Sequence, residues 1–200
     1  MDILENSVRP GDNRGTIEVI TGSMFSGKTE ELIRRLRRAQ LAGLKVEIFK
    51  PAMEKRYSET RIVSHDYKWI SSTPVDNALA VLLLAGDVDV VGIDEAQFFD
   101  NSIVDVCNQL ANNGVRIVVA GLDMNFMADP FGPMPALLAV AEFITKLHAI
   151  CLRCGSLAHY SYRKSSEDQV VVVGEKDRYE PLCRICYNRA MDSSALNNHI

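Results

Sequence analysis

Short apolar runs alternate with amphipathic segments along most of this chain. The apolar runs predict strands at 15–22, 44–51, 88–94, 115–123 and 143–150. The amphipathic segments predict helices at 28–43, 75–86 and 101–114. Strands that are apolar almost throughout are typical of sheets buried on both faces. The alternation therefore predicts an α/β fold in which a parallel sheet is flanked by helices on both faces.

The first predicted helix carries two kinds of side chain. The apolar positions that fall roughly on one of its faces are Leu32, Ile33, Leu36 and Leu41. Its run of basic residues comprises Arg34, Arg35, Arg37 and Arg38. We interpret the basic run as a face in contact with solvent or with another subunit. Gly43 is the expected end of the helix.

Two regions depart from the strand–helix alternation. Residues 52–74 are polar and irregular, and predict one or two short strands. After Ile150, two cysteine pairs bracket a polar, strand-like segment, which indicates a small appendage. We therefore expect an N-terminal arm at 1–14, a core at 15–150, the appendage at 151–190 and a tail at 191–200. Fraying is expected to begin at 188.

Composition and charge narrow the class of protein. The 200 residues are 47% hydrophobic and 24% charged, as in an ordinary globular protein. The net charge of -4 disfavours a general nucleic-acid binder. No apolar run reaches the roughly 18 residues that span a membrane, and the first residues lack the pattern of a signal peptide. These features predict a cytoplasmic protein without a membrane or nucleic-acid partner, in which cysteines stay reduced.

The stretch "GSMFSGKT" fits the phosphate-binding pattern G-x-x-x-x-G-K-[ST]. It follows a predicted strand and opens a predicted helix, so backbone N–H groups and the helix N-terminus can surround phosphate oxygens. Lys28 would reach the β- and γ-phosphates, and Thr29 would ligate Mg²⁺. The alternative is a Gly-rich turn with a surface lysine. The candidate ATP-binding residues are Gly22, Ser23, Met24, Phe25, Ser26, Gly27, Lys28 and Thr29.

Two adjacent carboxylates end the apolar run in "VVGIDEAQFF". Asp94 would hold the Mg²⁺ through water. If the extended backbone continues, Glu95 points to the opposite side, where it can accept a proton from an attacking group. The pair indicates phosphoryl transfer but leaves the acceptor open, because an ATPase would use water in place of a hydroxyl. A solvated acidic turn is the alternative without chemistry.

Four of the five cysteines form two Cys-x-x-Cys pairs, with 28 residues between them. Two such pairs can complete a tetrahedral Zn²⁺ site that has no open position, so the metal would be structural. The alternative is a set of reduced cysteines in a core. Cys107 lies inside a predicted helix and is assigned to packing. The candidate zinc ligands are Cys151, Cys154, Cys183 and Cys186.

Aromatic residues accompany the carboxylates at the predicted carboxyl edge of the sheet, where ligands bind in such folds. They are Phe98, Phe99, Phe126 and Phe131. Each ring can stack on a flat ligand or simply anchor its loop. Tyr179, just before the second cysteine pair, can close over a small ligand. Arg56 can contact phosphate or stand as a surface charge.

Together these motifs resemble type II thymidine kinases, the cytosolic zinc-containing enzymes that phosphorylate thymidine with ATP. The matching stretches are "TGSMFSGKTEEL", "KP", "RY", "SHD", "GIDEAQFF", "GLDMNFMADPFG" and "GEKDRYEPLCRICY", within residues 15–190. The resemblance implies a RecA-like P-loop core with a small zinc-ribbon-like domain, whose lasso loop covers the nucleoside. It also implies Mg²⁺-ATP as donor, a homotetramer and feedback inhibition by dTTP.

The same resemblance assigns residues to roles. Glu95 matches the general base that takes the proton from the 5′-hydroxyl of thymidine. Asp94, Ala96 and Gln97 match, with Glu95, the motif beside the bound ATP. The residues that match the surroundings of the thymine base are Met24, Phe126 and Phe131. Those that match the lasso loop are Val170, Val171, Val172, Val173, Gly174 and Tyr179.

The resemblance therefore implies a thymidine kinase that forms dTMP for DNA precursor salvage. One alternative is a RecA-like ATPase acting on nucleic acid, which would need a basic groove or a further domain. Another is a non-enzymatic zinc-ribbon module with a degenerate nucleotide site, which the intact Lys28, Thr29, Asp94 and Glu95 disfavour. Nucleic-acid-stimulated ATP hydrolysis would identify the first, and ATP binding without turnover would identify the second.

Overall fold

The computed structural model describes residues 15–52, 61–63, 69–164 and 178–197. The strands in these ranges are β1 (Thr16–Gly22), β2 (Val46–Pro51), β3 (Arg61–Val63), β4 (Trp69–Ser71), β5 (Thr73–Val75), β6 (Val90–Ile93), β7 (Arg116–Gly121), β8 (Phe143–Leu147), β9 (Ala149–Ile150), β10 (Leu157–Ala158), β11 (Tyr160–Arg163) and β12 (Tyr179–Leu182). The helices are α1 (Lys28–Leu41), α2 (Ala78–Leu84), α3 (Ser102–Asn112), α4 (Met134–Val140) and α5 (Arg184–Asn197), with a 3-10 helix at Ala96–Phe98. None of the helices in the described ranges is long and apolar enough to cross a membrane.

Six strands form a central sheet in the order β5-β2-β6-β7-β1-β8. Every pairing within it is parallel. The inner strands β6 and β7 are buried along their whole length, which explains their continuous apolar sequences. The predicted α/β fold with a parallel sheet is confirmed.

Helices cover both faces of this sheet. On one face, α1 buries Leu32, Ile33 and Leu36 against β1, β6 and β7. On the other face, α2, α3 and α4 enclose a larger core that includes Ile103 and Leu137. All parallel strands end at the same edge, so the loops after β1, β6 and β7 meet there.

The structure corrects which apolar and basic side chains of α1 were expected to be buried or exposed. Leu41 is 88% exposed, and Ala39 takes the last buried position in its place. Arg35 is buried, whereas Arg34, Arg37 and Arg38 are exposed. The Arg35 guanidinium pairs with Glu18 of β1 at 2.7 Å, which offsets the cost of its burial. The basic run is therefore not one surface face.

Several element boundaries also differ from the expectation. The segment 75–86 begins as strand rather than helix, because Thr73–Val75 adds β5 to the sheet edge beside β2. The helix α2 starts after Asn77, whose side chain accepts a hydrogen bond from the Ala80 N–H. The apolar run 143–150 divides into β8 and β9. The short helix α4 was not expected.

The segment after β8 builds a small layer of its own. The hairpins β9–β10 and β11–β12 and the helix α5 enclose a core with Tyr160, Leu182 and Tyr187. The expected fraying from 188 is wrong for residues 188–197, which continue α5. Ala190 is buried against this core one turn after Cys186, and that packing holds the otherwise polar helix in place.

Candidate active site

The loop between β1 and α1 has the shape of a phosphate cradle. Phe25 and Gly27 have positive φ angles of 63° and 87°, so the backbone coils tightly before the helix begins. Lys28 Nζ donates to the Ser23 carbonyl oxygen at 2.8 Å, which folds the lysine over the loop. Ser26 Oγ is buried and has no hydrogen-bond partner among the described residues. Buried hydroxyls need such a partner, and a phosphate oxygen in the loop would supply it. The 14-residue helix behind the loop adds the positive end of its dipole.

The close packing beneath this loop explains its first glycine. A Cβ atom on Gly22 would lie 2.1 Å from the Leu147 carbonyl oxygen of β8. The φ angle of Gly22 is also positive, at 139°. Any side chain at this position would push β1 away from β8 and displace the loop.

Asp94 faces the start of α1 from the end of β6. One strand, β7, separates β6 from β1 in the sheet. Thr29 Oγ1 lies 3.5 Å from Asp94 Oδ2, and Asp94 is only 7% exposed. A hydroxyl and a carboxylate that face each other beside a phosphate cradle are suitable ligands for Mg²⁺, directly or through water.

Glu95 follows in a left-handed backbone conformation, with φ 52° and ψ 41°. The backbone therefore does not stay extended through Glu95, which was the condition for its side chain to point to the opposite side from Asp94. The chain turns at this residue because the 3-10 helix Ala96–Phe98 begins directly after it. The turn is held by Asp94 Oδ1, which accepts a hydrogen bond from the Glu95 N–H at 3.0 Å. Glu95 is partly exposed and directly follows Asp94, the candidate Mg²⁺ ligand.

Two residues after the turn, Gln97 fixes the Glu95 side chain. Gln97 is 3% exposed. Its Nε2 group donates to Glu95 Oε2, and its Oε1 atom accepts from the Leu122 N–H at 2.9 Å. Leu122 begins the loop after β7. The buried Gln97 amide therefore joins Glu95, which follows β6, to the loop after β7 at the same edge of the sheet.

That loop, 122–132, carries two of the predicted aromatic residues. Phe131 packs edge-to-face against Phe98, with ring centroids 5.7 Å apart. Phe126 lies under the guanidinium of Arg163, whose Cζ is 3.5 Å from the ring centroid. The Phe126 carbonyl oxygen also accepts a hydrogen bond from Tyr187 Oη at 2.7 Å. Both rings are only partly buried, so part of each can contact a ligand.

The small layer after β8 touches the phosphate loop directly. Ser161 of β11 is 6% exposed, and its Oγ accepts a hydrogen bond from the Met24 N–H at 2.9 Å. Phe25 packs against the core of the small layer. Tyr179 of β12 is buried opposite Arg163 in the β11–β12 register. The two layers therefore share the region between the phosphate loop and the aromatic residues.

The four predicted zinc ligands lie together. Their Sγ atoms are all within 4.8 Å of one another, and those of Cys154 and Cys183 are 3.6 Å apart. Tetrahedral Zn–S bonds of about 2.3 Å place sulfur atoms about 3.8 Å apart, so this cluster fits zinc.

The protonation of the cluster also favours a cation. Hydrogen bonds from Ser156 lower the pKa of the Cys154 thiol to about 6. Burial and the neighbouring thiols raise the pKa of Cys186 to about 12. Four thiolates at this separation repel one another, so full ionisation needs a positive ion at their centre.

Some predicted residues lie outside the described ranges. They are Arg56, Val170, Val171, Val172, Val173 and Gly174, together with the arm 1–14. The other predicted residues gather at the carboxyl edge of the sheet or in the layer beside it, and Ala96 is fully buried behind Glu95.

Three further residues of this site had no predicted role. Ser161, Arg163 and Tyr187 all come from the small layer and contact the loops of the core. No motif marks Ser161 or Arg163, because their roles depend on how β11 packs on another layer. Tyr187 directly follows the candidate zinc ligand Cys186 and ends the matching stretch "GEKDRYEPLCRICY", but neither feature indicates that it bonds to the loop 122–132.

Three features define an α/β P-loop nucleotide-binding protein. They are the parallel sheet, the phosphate cradle after β1, and Asp94 after β6, with β7 between these two strands. The family model for thymidine kinase matches residues 15–187. A thymidine kinase from Bacteroides fragilis is 60% identical over 187 residues, which cover 94% of each chain. The one from Bacteroides thetaiotaomicron is 58% identical, over 93% of this chain and 94% of its own. The one from Porphyromonas gingivalis is 60% identical, over 93% and 91%. The chain belongs to the thymidine kinase family.

Proposed function

We propose that this chain transfers the γ-phosphoryl group of ATP to the 5′-hydroxyl of thymidine and so forms dTMP for DNA precursor salvage. The observation that carries the proposal is the position of Glu95. A partly exposed carboxylate stands beside a metal ligand and a phosphate cradle, in a member of the thymidine kinase family. A RecA-like ATPase acting on nucleic acid is not favoured by that membership.

The phosphate loop would hold the donor. Backbone N–H groups of residues 22–29 and the N-terminus of α1 would bind the phosphates of ATP, and Lys28 would swing from the Ser23 carbonyl to the γ-phosphate. Thr29 and Asp94 would hold Mg²⁺. When bound, the ion neutralises charge on the phosphates as the phosphoryl group moves. Arg56 would contribute a further phosphate contact.

Glu95 would accept the proton of the 5′-hydroxyl as the oxygen attacks the γ-phosphorus. Phe98, Phe126 and Phe131 would form the walls against which the thymine ring packs, with Met24 beneath it. Tyr179 and the lasso residues 170–174 would close the pocket and hydrogen-bond the pyrimidine edge through the backbone. Closure would exclude the water that otherwise competes as acceptor.

The cysteine cluster would hold a structural zinc ion. Four protein ligands leave no position for substrate, so the ion would act on the fold and not on the reaction. In this arrangement residues 15–150 form the catalytic core and 151–190 the zinc-binding domain. The resemblance to cytosolic enzymes supports a cytoplasmic location, a homotetramer and feedback inhibition by dTTP.

The direct test is product formation from Mg²⁺-ATP with thymidine, deoxycytidine or no nucleoside. We expect dTMP with thymidine and little product with deoxycytidine. Phosphate release that does not depend on any nucleoside would contradict the proposal and identify an ATPase. Inhibition by added dTTP, and the mass of the particle by light scattering, test the regulatory and oligomeric parts separately.

A further inference from the structure

Gln97 belongs to the motif expected to contact ATP, but its side chain is used elsewhere. Its carboxamide lies between two partners on different elements. The Leu122 N–H can only donate, so it must face the amide oxygen, as the 2.9 Å contact shows. The amide nitrogen then points at Glu95 Oε2, to which it donates. This orientation is therefore set by the hydrogen-bonding pattern.

The surroundings of Gln97 prevent it from turning toward the donor site. A Cβ atom on Gly121 would lie 3.0 Å from Gln97 Oε1 and 2.5 Å from Met134 Sδ. A Cβ atom on Gly132 would lie 2.3 Å from the Gln97 carbonyl oxygen. Two glycines thus allow β7 and the loop 122–132 to close around this residue, which is 3% exposed. A different rotamer would need this packing to open.

We propose that Gln97 is a positioning residue for Glu95 and makes no contact with ATP. The inference rests on the proposed role of Glu95 as general base. Donation to Oε2 fixes the direction of the Glu95 carboxylate and leaves Oε1 for the proton of the 5′-hydroxyl.

The same amide also sets the distance between base and acceptor. Leu122 starts the loop that carries Phe126 and Phe131, the proposed walls of the thymidine pocket. Gln97 bonds to both the base and the start of this loop. A shift of the loop therefore moves Glu95 with it, and the base keeps its position relative to the nucleoside.

The test is Gln97→Glu, measured as kcat and as the KM for each substrate at one fixed pH. A glutamate can still accept from the Leu122 N–H, but it replaces the donor to Glu95 with a second carboxyl. Glu95 then loses the contact that fixes its direction, so the general base is no longer aligned with the 5′-hydroxyl. The value of kcat should fall by about 10- to 100-fold, while the KM for ATP stays within about twofold.

Gln109→Glu is the matched control. It makes the same substitution at an exposed position of α3, whose end lies at the opposite edge of the sheet. Its kcat and KM values should match those of the unchanged protein. If Gln97→Glu does not fold, Gln97→Met keeps the length without the donor. It should lower kcat by a smaller factor, with zinc content intact.

Two outcomes would overturn the inference. One is a raised KM for ATP with unchanged kcat in Gln97→Glu or Gln97→Met, which would place Gln97 on the nucleotide. The other is an unchanged kcat with unchanged KM values. Glu95→Gln is measured in parallel. If that variant keeps full kcat, the general-base proposal itself fails, whereas a large loss there with normal Gln97 variants rejects only the positioning role.

Discussion

Glu95 is held in a backbone conformation that costs a non-glycine residue roughly 1–3 kcal/mol. Contacts on both sides of the residue offset this cost. Asp94 Oδ1 accepts from its N–H, its carbonyl oxygen accepts from the Phe98 N–H at 3.1 Å, and Gln97 holds its side chain. Strain that is stabilised so locally indicates that the direction of this one carboxylate matters to the protein.

Replacing the carboxylate isolates its chemistry. Glu95→Gln keeps the side-chain length, so the turn should persist and the affinity for ATP should stay within about twofold. The amide cannot act as a base, so kcat should fall by roughly 10²–10⁴-fold. Steady-state kinetics measure the loss of kcat, and equilibrium binding measures the affinity for ATP. Unchanged kcat would remove Glu95 from the reaction.

The Tyr187 hydroxyl is one of the contacts between the small layer and the loop that carries Phe126. Tyr187→Phe removes the bond from Tyr187 Oη to the Phe126 carbonyl oxygen and leaves the ring stacked on Tyr160. A lost hydrogen bond of about 0.5–1.5 kcal/mol should raise the KM for thymidine by about 2- to 10-fold. The KM for ATP should not change. Tyr160→Phe is the control, because it leaves the bond to Phe126 intact.

At the residue scale, the sequence identifies chemical groups better than their directions. The phosphate loop, Asp94 and Glu95 follow from a motif and an apolar run, since their spacing is local. The left-handed turn at Glu95 and the contacts of Ser161 and Arg163 depend on the packing of elements distant in sequence. No local pattern records that packing.

Among the elements, the paired strands β11 and β12 connect the small layer to both parts of the proposed site. Ser161 holds the phosphate loop through the Met24 N–H, and Arg163 covers Phe126. The strand β12 is followed directly by Cys183, one of the candidate zinc ligands. A change at the metal cluster can therefore reach the proposed sites of both substrates through one pair of strands.

Loss of the metal tests this connection. Cys183→Ser should lower the bound zinc, measured by atomic absorption, to near zero, because three thiolates bind far less tightly than four. The KM values for thymidine and for ATP should both rise. A variant that retains full zinc would contradict the four-cysteine site. Cys107→Ala is the control, since Cys107 is buried in α3 away from the cluster and should leave the zinc content unchanged.

Element prediction succeeded where apolar periodicity was long and failed where it was short. The strands β1, β2, β6 and β7 and the helices α1 and α3 have clear patterns. The strand β5 and the helix α4 span three and seven residues, too few to establish a period. The polar composition of α5 predicted fraying, because the helix is held by packing on the core of the small layer and not by its own composition.

Across the whole molecule, one buried group of charges joins the elements behind the phosphate loop. Glu18 of β1 accepts from Arg35 of α1 at 2.7 Å and from Arg116 of β7 at 2.6 Å. Arg35 also pairs with Glu31. Burial raises the pKa of the Glu31 carboxyl, but the hydrogen bonds and charges of Arg34 and Arg35 outweigh it and leave the pKa below its usual value. The set fixes α1 against two neighbouring strands.

This group should contribute measurably to global stability. Glu18→Gln leaves two buried guanidinium groups without their shared carboxylate, so the free energy of unfolding should fall by about 3–5 kcal/mol. Urea denaturation gives the value. Asp87→Asn, which breaks the exposed pair with Lys45, should leave the urea midpoint unchanged. Equal midpoints for both variants would mean that burial does not strengthen the Glu18 group.

At the scale of the fold, strand–helix alternation was sufficient to predict the parallel sheet and its covering helices. It could not give the order β5-β2-β6-β7-β1-β8, because strand order depends on pairings between distant segments. The strand β7 lies between β6, which leads to Asp94, and β1, which leads to the phosphate loop. This placement sets the width of the site and is known only from the structure.

Because the cysteines differ in burial, the number of thiols that an alkylating reagent labels can measure how much of the protein carries zinc. Cys107 is fully buried, and burial raises the pKa of its thiol to about 12, so an alkylating reagent should not reach it in the folded protein. The other four of the five cysteines belong to the cluster. Folded protein should then incorporate no label when loaded with zinc and up to four labels per chain after chelation. A mass spectrum of labelled protein would report the loaded fraction of each preparation, molecule by molecule.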